Sequence, residues 1–377
     1  MPNCDDRRIN TLKQLHFEKF RPLCPRCMQA SHESPLEIRS VFDEASGGDI
    51  LEGILICPNP QCLSEYPVID GIPVIVADLR AYISHNLVPI LARTDLTDQV
   101  ESLLGDCCGP GSVFDMQRQH MSIYAFDHYG DLDPEQPDNA QSSPGSVLRL
   151  LEKGLKATGN PVAGPVLDVG CSVGRTSFAL AHTLDAPVLG VDLNFDMLRT
   201  ARRVLHKGVV RYPMRREGIV YDRREFPAAF EEAGMVDFWA CDATMLPFAS
   251  ETFGLGVSLN VLDCVSSPYE HLQSLSRILM PDARAIISTP YDWSASATPV
   301  ESWLGGHSQR SEMHGASQAM LRSLLTQGSH PMSAENLEPV SEFEAVPWSV
   351  RVHDRCEMQY FVHMIIVRKG KNPCIAQ

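Results

Sequence analysis

Residues 165–192 read PVLDVGCSVGRTSFALAHTLDAPVLGVD, and their pattern indicates the fold class. It holds two short apolar runs, PVLDVG and PVLGVD, with a segment of helical spacing between them. The apolar runs are continuous rather than alternating, which is typical of parallel strands that are buried on both faces of a sheet. The stretch therefore predicts a strand, a helix and a second, parallel strand, the repeating unit of a doubly wound α/β fold.

The same alternation continues toward the carboxyl terminus. Helical spacing follows in FDMLRTARRVL and again from Tyr269 to Met280, and the apolar runs VDFWACD, GLGVSLN and ARAIISTP have strand character. A last apolar run, QYFVHMIIVRK, is expected to add an antiparallel strand at one edge of the sheet. Residues 147–377 are thus predicted to form one doubly wound, Rossmann-like α/β domain.

Composition and charge narrow the class of protein. The chain has 377 residues, of which 44% are hydrophobic and 21% charged, values near the averages for globular proteins, and its length indicates two or three domains. The net charge of -15 repels phosphate backbones, so nucleic acid is disfavoured as a partner. No run of about 18 apolar residues occurs and the first ten residues lack an apolar core, so we expect no membrane span, no secretion and a cytoplasmic location.

Four of the twelve cysteines are grouped near the amino terminus. They are Cys24, Cys27, Cys57 and Cys62, in a C-x2-C and C-x4-C pattern. Two thiolates on each of two tight turns can occupy the corners of a tetrahedron, which suits zinc and stabilises a region too small for its own core. The alternative is a set of small buried hydrophobic residues or a redox pair. We predict a structural Zn2+ in a zinc-ribbon domain over residues 1–80.

About sixty of the first eighty residues also resemble a known family. The segments CPRC and EYPVIDGIPVIV, the second a predicted hairpin that turns at Asp70 and Gly71, are similar to the zinc ribbon of the small activator subunit of tRNA and protein methyltransferases. We expect the ribbon to contact either a protein partner or its own catalytic domain. Residues 81–112 are expected to be helical and 131–146, DLDPEQPDNAQSSPGS, to be an exposed acidic linker, so 81–146 connects the two domains.

The turn after the first strand of the α/β domain has the spacing D-x-G-x-x-x-G, from Asp168 through Gly170 to Gly174. Its glycines allow main-chain N–H groups to approach a ligand at the carboxyl end of the sheet. The loop is wider than the dinucleotide pattern G-x-G-x-x-G and accommodates the amino-acid portion of S-adenosylmethionine (SAM). Asp192 ends the second strand, where a carboxylate can accept both ribose hydroxyl protons, and Asp242 ends the third.

Carboxylates at three successive strand ends resemble the arrangement in class I SAM-dependent methyltransferases, over roughly residues 147–368. The resemblance implies that the glycine loop contacts the methionine part of the cofactor, Asp192 the ribose and Asp242 the adenine, with Leu193 packed on the adenine face. The full set of predicted cofactor-binding residues is Asp168, Gly170, Cys171, Gly174, Asp192, Leu193, Asp242, Ala243 and Asn260.

Other blocks of sequence resemble one particular group of methyltransferases. In chain order they are YAFDHYGD, GRTSFALA, RYPMRREG, NVLDCVSSP and STPYDWSASATPVESWLGG. They are similar to the methyltransferase module of ovothiol biosynthesis, which methylates an imidazole nitrogen of 4-mercaptohistidine. The resemblance implies a small-molecule acceptor that carries a thiohistidine-like imidazole.

Methyl transfer requires the lone pair of the acceptor in line with the activated carbon, about 3–3.5 Å away, with water excluded. An imidazole acceptor also needs a neighbouring group that takes or orients its other proton. We predict Asn260 and Asp263, just after the fourth strand, for this role, with Tyr291 as a third catalytic residue. The alternative for Asn260 and Asp263 is that they cap a loop.

Aromatic residues are predicted to bind the acceptor. Trp293 and Trp303 follow the fifth strand, where their faces enclose a planar ring or, alternatively, anchor a lid to the core. Tyr124 and Tyr129 precede the acidic linker and either fold over the cofactor or pack on the sheet.

Five arginines lie in the run RYPMRREGIVYDRR, between the second helix and the third strand of the α/β domain. The run is a guanidinium clamp for a substrate carboxylate, a local patch for RNA, or a solvated crossover balanced by acidic neighbours. Two rival functions stay open beside small-molecule methylation. One is an RNA methyltransferase that binds tRNA or rRNA through its zinc ribbon. The other is a non-catalytic scaffold that binds the cofactor without transferring a methyl group.

Overall fold

The structure is a computed structural model that describes residues 12–44, 49–136, 143–311, 313–334 and 336–370. Part of the predicted acidic linker, 137–142, lies outside the described residues. The strands are β1 (Glu37–Glu44), β2 (Ile50–Ile56), β3 (Glu65–Ile69), β4 (Ile72–Ile75), β5 (Val166–Val169), β6 (Val188–Asp192), β7 (Val209–Glu217), β8 (Val220–Pro227), β9 (Val236–Cys241), β10 (Phe253–Leu259), β11 (Leu279–Thr289), β12 (Leu337–His353) and β13 (Cys356–Lys369). The α-helices are α1 (Gln14–Phe20), α2 (Pro25–Gln29), α3 (Leu79–Leu91), α4 (Asp98–Cys108), α5 (Val113–Tyr129), α6 (Ser146–Thr158), α7 (Arg175–Leu184), α8 (Phe195–Lys207), α9 (Pro268–Ile278) and α10 (Ser317–Leu325).

Five parallel strands form the middle of the main sheet, in the order β9-β6-β5-β10-β11. Helix α7 follows β5, α8 follows β6 and α9 precedes β11, as expected for parallel strands that need a crossover. Every residue of β5 and β9 is buried, which explains why these segments are continuous apolar runs in the sequence. The predicted α/β fold is confirmed for this part of the chain.

Two antiparallel strands extend the sheet beyond β11. Strand β13 pairs with β11, with Ile287 opposite Ile365, and β12 pairs with the other side of β13. The prediction of an antiparallel strand in QYFVHMIIVRK is therefore confirmed, but its position at the edge is wrong. The edge strand is β12, whose alternation of exposed and buried residues hid it from a search for continuous apolar runs.

At the other end, the sheet continues into the amino-terminal region. Strands β3 and β4 form the predicted hairpin, and Asp70 and Gly71 both have positive φ, 51° and 71°, as a two-residue turn of this kind requires. Strand β4 then pairs in parallel with β9, with Val74 opposite Ala240. Within the described residues, eleven strands thus form one sheet, in the order β1-β2-β3-β4-β9-β6-β5-β10-β11-β13-β12.

The amino-terminal region also shares its core with the sheet. Phe20, at the end of α1, stacks on Phe253 of β10 with ring centroids 5.7 Å apart and meets Trp239 of β9 edge-on at 5.8 Å. All three side chains are almost completely buried. Aromatic side chains bury large areas, so this contact adds substantially to the stability of the junction.

The arginine-rich run forms a separate two-stranded hairpin of β7 and β8, and its arginines are bonded within the protein. The partners are Glu101 and Glu225 for Arg211, Gln119 and the carbonyl of Gly218 for Arg215, Asp222 for Arg216, Asp98 and Glu101 for Arg223, and Asp133 and Glu135 for Arg224. Of the three alternatives, this pairing agrees with a crossover balanced by acidic neighbours.

The hairpin holds helix α5 in place. The backbone N–H of Arg215 donates to Ser122 Oγ at 2.8 Å, and the hydroxyl of Tyr221 donates to Asp115 Oδ1 at 2.9 Å. Helix α5 itself begins at a capped end, where Ser112 accepts from the N–H of Asp115.

Among the described residues, no helix is both long and apolar enough to cross a membrane.

Candidate active site at the carboxyl ends of the parallel strands

The glycine-rich loop between β5 and α7 turns sharply where the sequence predicts it. Gly170 and Gly174 have φ of 70° and 88°, a region that side chains other than glycine rarely adopt. A Cβ on Gly174 would lie 2.6 Å from the ring of Phe238 and 2.8 Å from Ala201. A Cβ on Gly170 would lie 2.3 Å from Val261. The loop therefore needs glycine both for its backbone and for close packing.

Asp192 ends strand β6 beside this loop. Its Oδ2 accepts a hydrogen bond from the N–H of Ser172 at 2.9 Å, and its Oδ1 accepts from the N–H of Asn194 at 2.8 Å. Burial raises the pKa of this carboxyl, while the backbone N–H donors lower it. An acidic side chain that is held by backbone donors has a fixed position from which to bind a ligand.

Asp168, at the end of β5, is held in a similar way. Its Oδ2 accepts from the hydroxyls of Thr176 at 2.7 Å and Ser177 at 2.6 Å. Burial, together with the nearby charge of Asp192, raises the pKa of Asp168 to about 6, against the lowering effect of the two hydroxyls. Asp168 is 2% exposed, so its carboxyl is almost completely shielded from bulk solvent.

The ends of β9 and β10 complete this side of the site. Asp242 follows β9, and its Oδ1 accepts from both the N–H and the hydroxyl of Thr244, at 2.9 and 2.7 Å. Asn260 follows β10 with a φ of 56°, and its Oδ1 accepts from the hydroxyl of Ser288 at 2.9 Å. Positive φ in a non-glycine residue is uncommon and costs free energy, so it occurs where surrounding contacts enforce it.

These strand ends open into a cavity of about 600 Å³. The structure brings most of the predicted cofactor-binding residues to its wall. They are Asp168, Gly170, Asp192, Leu193, Asp242, Ala243 and Asn260. Tyr124, from the predicted acceptor-binding set, also lines it. Cys171 and Gly174 lie outside the wall, where Cys171 is completely buried and Gly174 packs on Phe238.

The remaining predicted residues lie away from the cavity wall. Asp263 is buried, and its Oδ2 accepts from the N–H of Asp292 at 2.6 Å. The hydroxyl of Tyr291 lies 2.6 Å from Nδ1 of His363, on strand β13. The hydroxyl of Tyr129 donates to the carbonyl of Val173 at 2.7 Å, which agrees with the alternative that this tyrosine packs on the sheet. None of the three side chains reaches the cavity.

The two tryptophans stack on each other. The rings of Trp293 and Trp303 have centroids 5.9 Å apart and nearly parallel planes. The indole N–H of Trp303 donates to the carbonyl of Thr298, and that of Trp293 donates to Ser317 Oγ at the start of α10. Both donors are satisfied inside the protein, in agreement with the alternative that the pair anchors the segment after β11 to the core.

Sequence reasoning missed part of the cavity wall. His120, Asp127 and His128 reach the wall from helix α5, and Trp348 reaches it from strand β12. The block YAFDHYGD contains two of these residues, so the helical spacing of its polar side chains was an available signal. Trp348 had no such signal, because strand β12 was not predicted.

The four predicted zinc ligands converge in the amino-terminal region. The sulfur atoms of Cys24, Cys27, Cys57 and Cys62 all lie within 4.8 Å of one another. The sulfurs of Cys24 and Cys62 are 3.7 Å apart, and those of Cys27 and Cys57 are 3.6 Å apart. A tetrahedral zinc with bonds of about 2.3 Å places its sulfurs roughly 3.8 Å apart, so the residues present fit this ion.

Comparison with known proteins finds matches to the α/β region of the chain. Residues 167–287 match a family described as "Methyltransferase domain". A protein from Pyrenophora dematioidea named O-methyltransferase is 23% identical over 183 residues, which make up 47% of this chain and 59% of that protein. The chain thus spans less than two thirds of the length of this relative.

Solved structures that match part of the chain include two methyltransferases. A SAM-dependent methyltransferase from Methanosarcina mazei is 17% identical, with a TM-score of 0.36, and the match covers 58% of this chain and 97% of that one. Phosphoethanolamine N-methyltransferase 2 from Haemonchus contortus, in complex with SAM, is 20% identical, with a TM-score of 0.32, over 44% of this chain and 32% of that one.

The matched region runs from strand β5 to strand β11. It contains the glycine-rich loop, all three carboxylates at the strand ends and Asn260. Residues 167–287 are therefore similar to a methyltransferase domain, and the match includes the residues at the strand ends.

Proposed function

We propose that the chain is a SAM-dependent methyltransferase that acts on a small molecule, and that the acceptor atom is an imidazole nitrogen of a thiohistidine-like compound. The observation that carries the proposal is the convergence of Asp168, Asp192 and Asp242 on one cavity at the carboxyl ends of adjacent parallel strands. Ligands of open α/β sheets bind at this position.

Each of these residues has a separate role in the proposal. The glycine-rich loop and Asp168 contact the methionine part of SAM, and the carboxylate of Asp192 accepts the ribose hydroxyl protons. Asp242 lies near the adenine, and Leu193, which is 42% exposed, covers one face of that ring when SAM is bound. The backbone donors to Asp192 and Asp242 fix their carboxylates before SAM binds, which reduces the entropy lost on binding.

SAM supplies an activated methyl group on a sulfonium. The lone pair of the imidazole nitrogen forms the new C–N bond as the C–S bond breaks, S-adenosylhomocysteine leaves, and the other ring nitrogen loses its proton to solvent. The protein's part is to align the acceptor and exclude water, because an in-line displacement at close range needs little further catalysis. The cavity walls are partly apolar, with Val169, Val261 and Val265 among them.

The size and charge of the site favour a small acceptor over RNA. The cavity of about 600 Å³ lies within the range of small-molecule sites. Because SAM would occupy part of this volume, the space left for the acceptor is that of a small molecule. The arginines of the β7–β8 hairpin are bonded to acidic side chains and carbonyls of the protein, so they are not available as a set to phosphates. The net charge of -15 acts in the same direction.

We also propose that the four cysteines hold one structural zinc ion. Three of them are buried and Cys62 is half-buried, so the ion would be shielded from solvent. Zinc bound by four thiolates has no open position for substrate, and its contribution is to folding.

Incubation of the purified protein with labelled SAM and a panel of acceptors tests the proposal. The panel contains 4-mercaptohistidine, histidine, related thiols and mixed tRNA and rRNA over a range of salt concentrations. We expect label transfer to 4-mercaptohistidine above all. Transfer to RNA, with an affinity that falls steeply as salt rises, would contradict the small-molecule acceptor. SAM binding with no transfer to any acceptor would favour the non-catalytic scaffold.

A further inference from the structure

One face of helix α5 forms a polar part of the cavity wall. His120, Tyr124 and His128 follow each other at intervals of four residues, so they share one face of the helix, and all three line the cavity. The residues at the strand ends have roles in binding SAM under the proposed function. The α5 face is therefore one part of the wall that remains for the acceptor, beside residues 264–266 and Ala297.

His128 differs from its neighbours on this face because it is buried and one of its ring nitrogens has no partner among the described residues. The side chain is 4% exposed, and its Nδ1 atom has no hydrogen-bond partner in the described part of the chain. Most buried polar atoms in proteins are paired, so an unpaired nitrogen on a residue that lines a cavity is a candidate for a bond to a ligand. His120, in contrast, is exposed to solvent.

The adjacent acid, Asp127, is fully engaged. Its Oδ1 accepts from the N–H of Ser146 at 2.6 Å, and its Oδ2 accepts from the N–H of Val147 and the indole N–H of Trp348, both at 3.1 Å. These bonds join α5 to α6 and to β12. Asp127 thus has a structural role, whereas Nδ1 of the buried His128 remains unbonded.

The charge state of His128 suits a hydrogen bond to a neutral heterocycle. Burial, assisted by the positive charge of Arg175, lowers the pKa of His128 to about 3, so the ring is neutral at physiological pH. A neutral imidazole has one nitrogen with a free lone pair, which accepts a hydrogen bond. Arg175 itself is paired with Asp131 at 3.1 Å.

We propose that the imidazole of His128 accepts a hydrogen bond from the ring N–H of the methyl acceptor and so directs the acceptor's other nitrogen, with its lone pair, toward the methyl group of SAM. This inference rests on the proposed function, and it replaces Asn260 and Asp263 as the groups that orient the acceptor. His128 is a binding and orienting residue, and the proton of the acceptor leaves to solvent after methylation.

The experiment uses two substitutions of His128 and a matched control. His128→Leu keeps a similar volume but removes both nitrogens, and His128→Asn restores a hydrogen-bonding group. His16→Leu is the control, because His16 is 3% exposed and its Nδ1 also lacks a partner among the described residues, but it packs against Phe20 in the amino-terminal core. Calorimetry measures the affinity of each protein for SAM, and then for 4-mercaptohistidine with S-adenosylhomocysteine bound.

We expect His128→Leu to weaken binding of 4-mercaptohistidine about tenfold or more, as the loss of one buried hydrogen bond predicts, while SAM affinity changes less than about twofold. His128→Asn should recover part of the loss, and His16→Leu should change neither affinity. Because replacing an unpaired buried polar group with an apolar one is neutral or stabilising, His128→Leu should unfold at the wild-type temperature or above it.

Other outcomes separate this inference from the function on which it rests. Unchanged affinity of His128→Leu for 4-mercaptohistidine, or an equal loss of affinity for SAM, overturns the role of His128 and leaves the methyltransferase function intact. If the wild-type protein binds SAM but not 4-mercaptohistidine, the proposed acceptor is wrong and the inference falls with it. If the wild-type protein does not bind SAM, the proposed function itself is wrong.

Discussion

The carboxylate of Asp192 accepts a hydrogen bond from the backbone N–H of Ser172 at 2.9 Å, which joins the end of strand β6 to the glycine-rich loop after strand β5. Ser172 has a φ of 53°, so this bond acts on a loop that is held in a sparsely populated conformation. The side chain that the sequence predicts as a ribose ligand therefore also fixes the glycine-rich loop, which we propose contacts the methionine part of SAM.

Substitution of Asp192 separates these two roles. Asp192→Asn keeps an oxygen that can accept from Ser172 but loses the charge, and Asp192→Ala loses both. A hydrogen bond to a charged group contributes about 1.5–3 kcal/mol, so we expect the Kd for SAM to rise roughly 10- to 150-fold in Asp192→Asn and further in Asp192→Ala. Calorimetry measures both, with Glu152→Gln on the exposed face of α6 as the control. Wild-type affinity in Asp192→Ala would contradict the ribose assignment.

Gly174→Ala should destabilise the protein strongly. An alanine here would keep the φ of 88°, and its Cβ would lie 2.6 Å from Phe238. Backbone strain and overpacking therefore both destabilise the variant, and together they lower the free energy of unfolding by about 2–4 kcal/mol. Gly218→Ala is the matched control, since Gly218 also has a positive φ, 54°, but has open space around it. We expect a loss of about 1 kcal/mol there. Urea unfolding compares the two, and equal losses would show that packing at Gly174 contributes nothing.

Cys24→Ser should remove zinc and lower stability. We expect one zinc per wild-type chain by atomic absorption, little zinc in Cys24→Ser, and a decrease in Tm of several degrees, because metal binding to such a site contributes free energy of folding. Cys356→Ser, which lies outside the cysteine cluster, should keep both the zinc and the Tm. A wild-type protein that contains no zinc, and whose Tm is unaffected by chelators, would count against the site.

The buried carboxyl of Asp168 predicts a dependence of stability on pH. Its pKa is about 6 in the folded protein, against about 3.9 when unfolded, so the native state favours the protonated form. The stability that this group contributes is fully present below pH 4 and is lost as pH rises through 6. Asp168→Asn cannot ionise, so its stability relative to wild type should increase by about 2–3 kcal/mol between pH 4 and pH 7. Urea unfolding at several pH values checks this, and parallel curves for the two proteins would refute it.

The parallel strands and the residues at their carboxyl ends were predictable, because buried strands require continuous apolar runs and each run ends in a chemically distinctive residue. Asp168, Asp192 and Asp242 were found in this way, and all three line the cavity. Gly170 and Gly174 were predictable because the sharp turn after β5 needs positive φ, which glycine adopts readily.

The rest of the site depends on long-range packing that leaves little trace in the sequence. Trp293 and Trp303 are near strand β11 in the chain, but they stack on each other and bond to the core instead of reaching the cavity. His128 and Trp348 are far from the strand ends in the chain, and the fold of α5 and β12 brings them to the cavity wall. Proximity in sequence to a strand end was thus a poor guide to the acceptor side.

The most direct test is a crystal structure of the protein with S-adenosylhomocysteine. The account predicts that both ribose hydroxyls lie within hydrogen-bond distance of the carboxylate of Asp192, that the amino-acid portion lies against the loop from Gly170 to Gly174, and that the adenine lies near Asp242. A nucleoside bound elsewhere, or bound here with its ribose away from Asp192, would contradict the central claim that these strand ends hold the methyl donor.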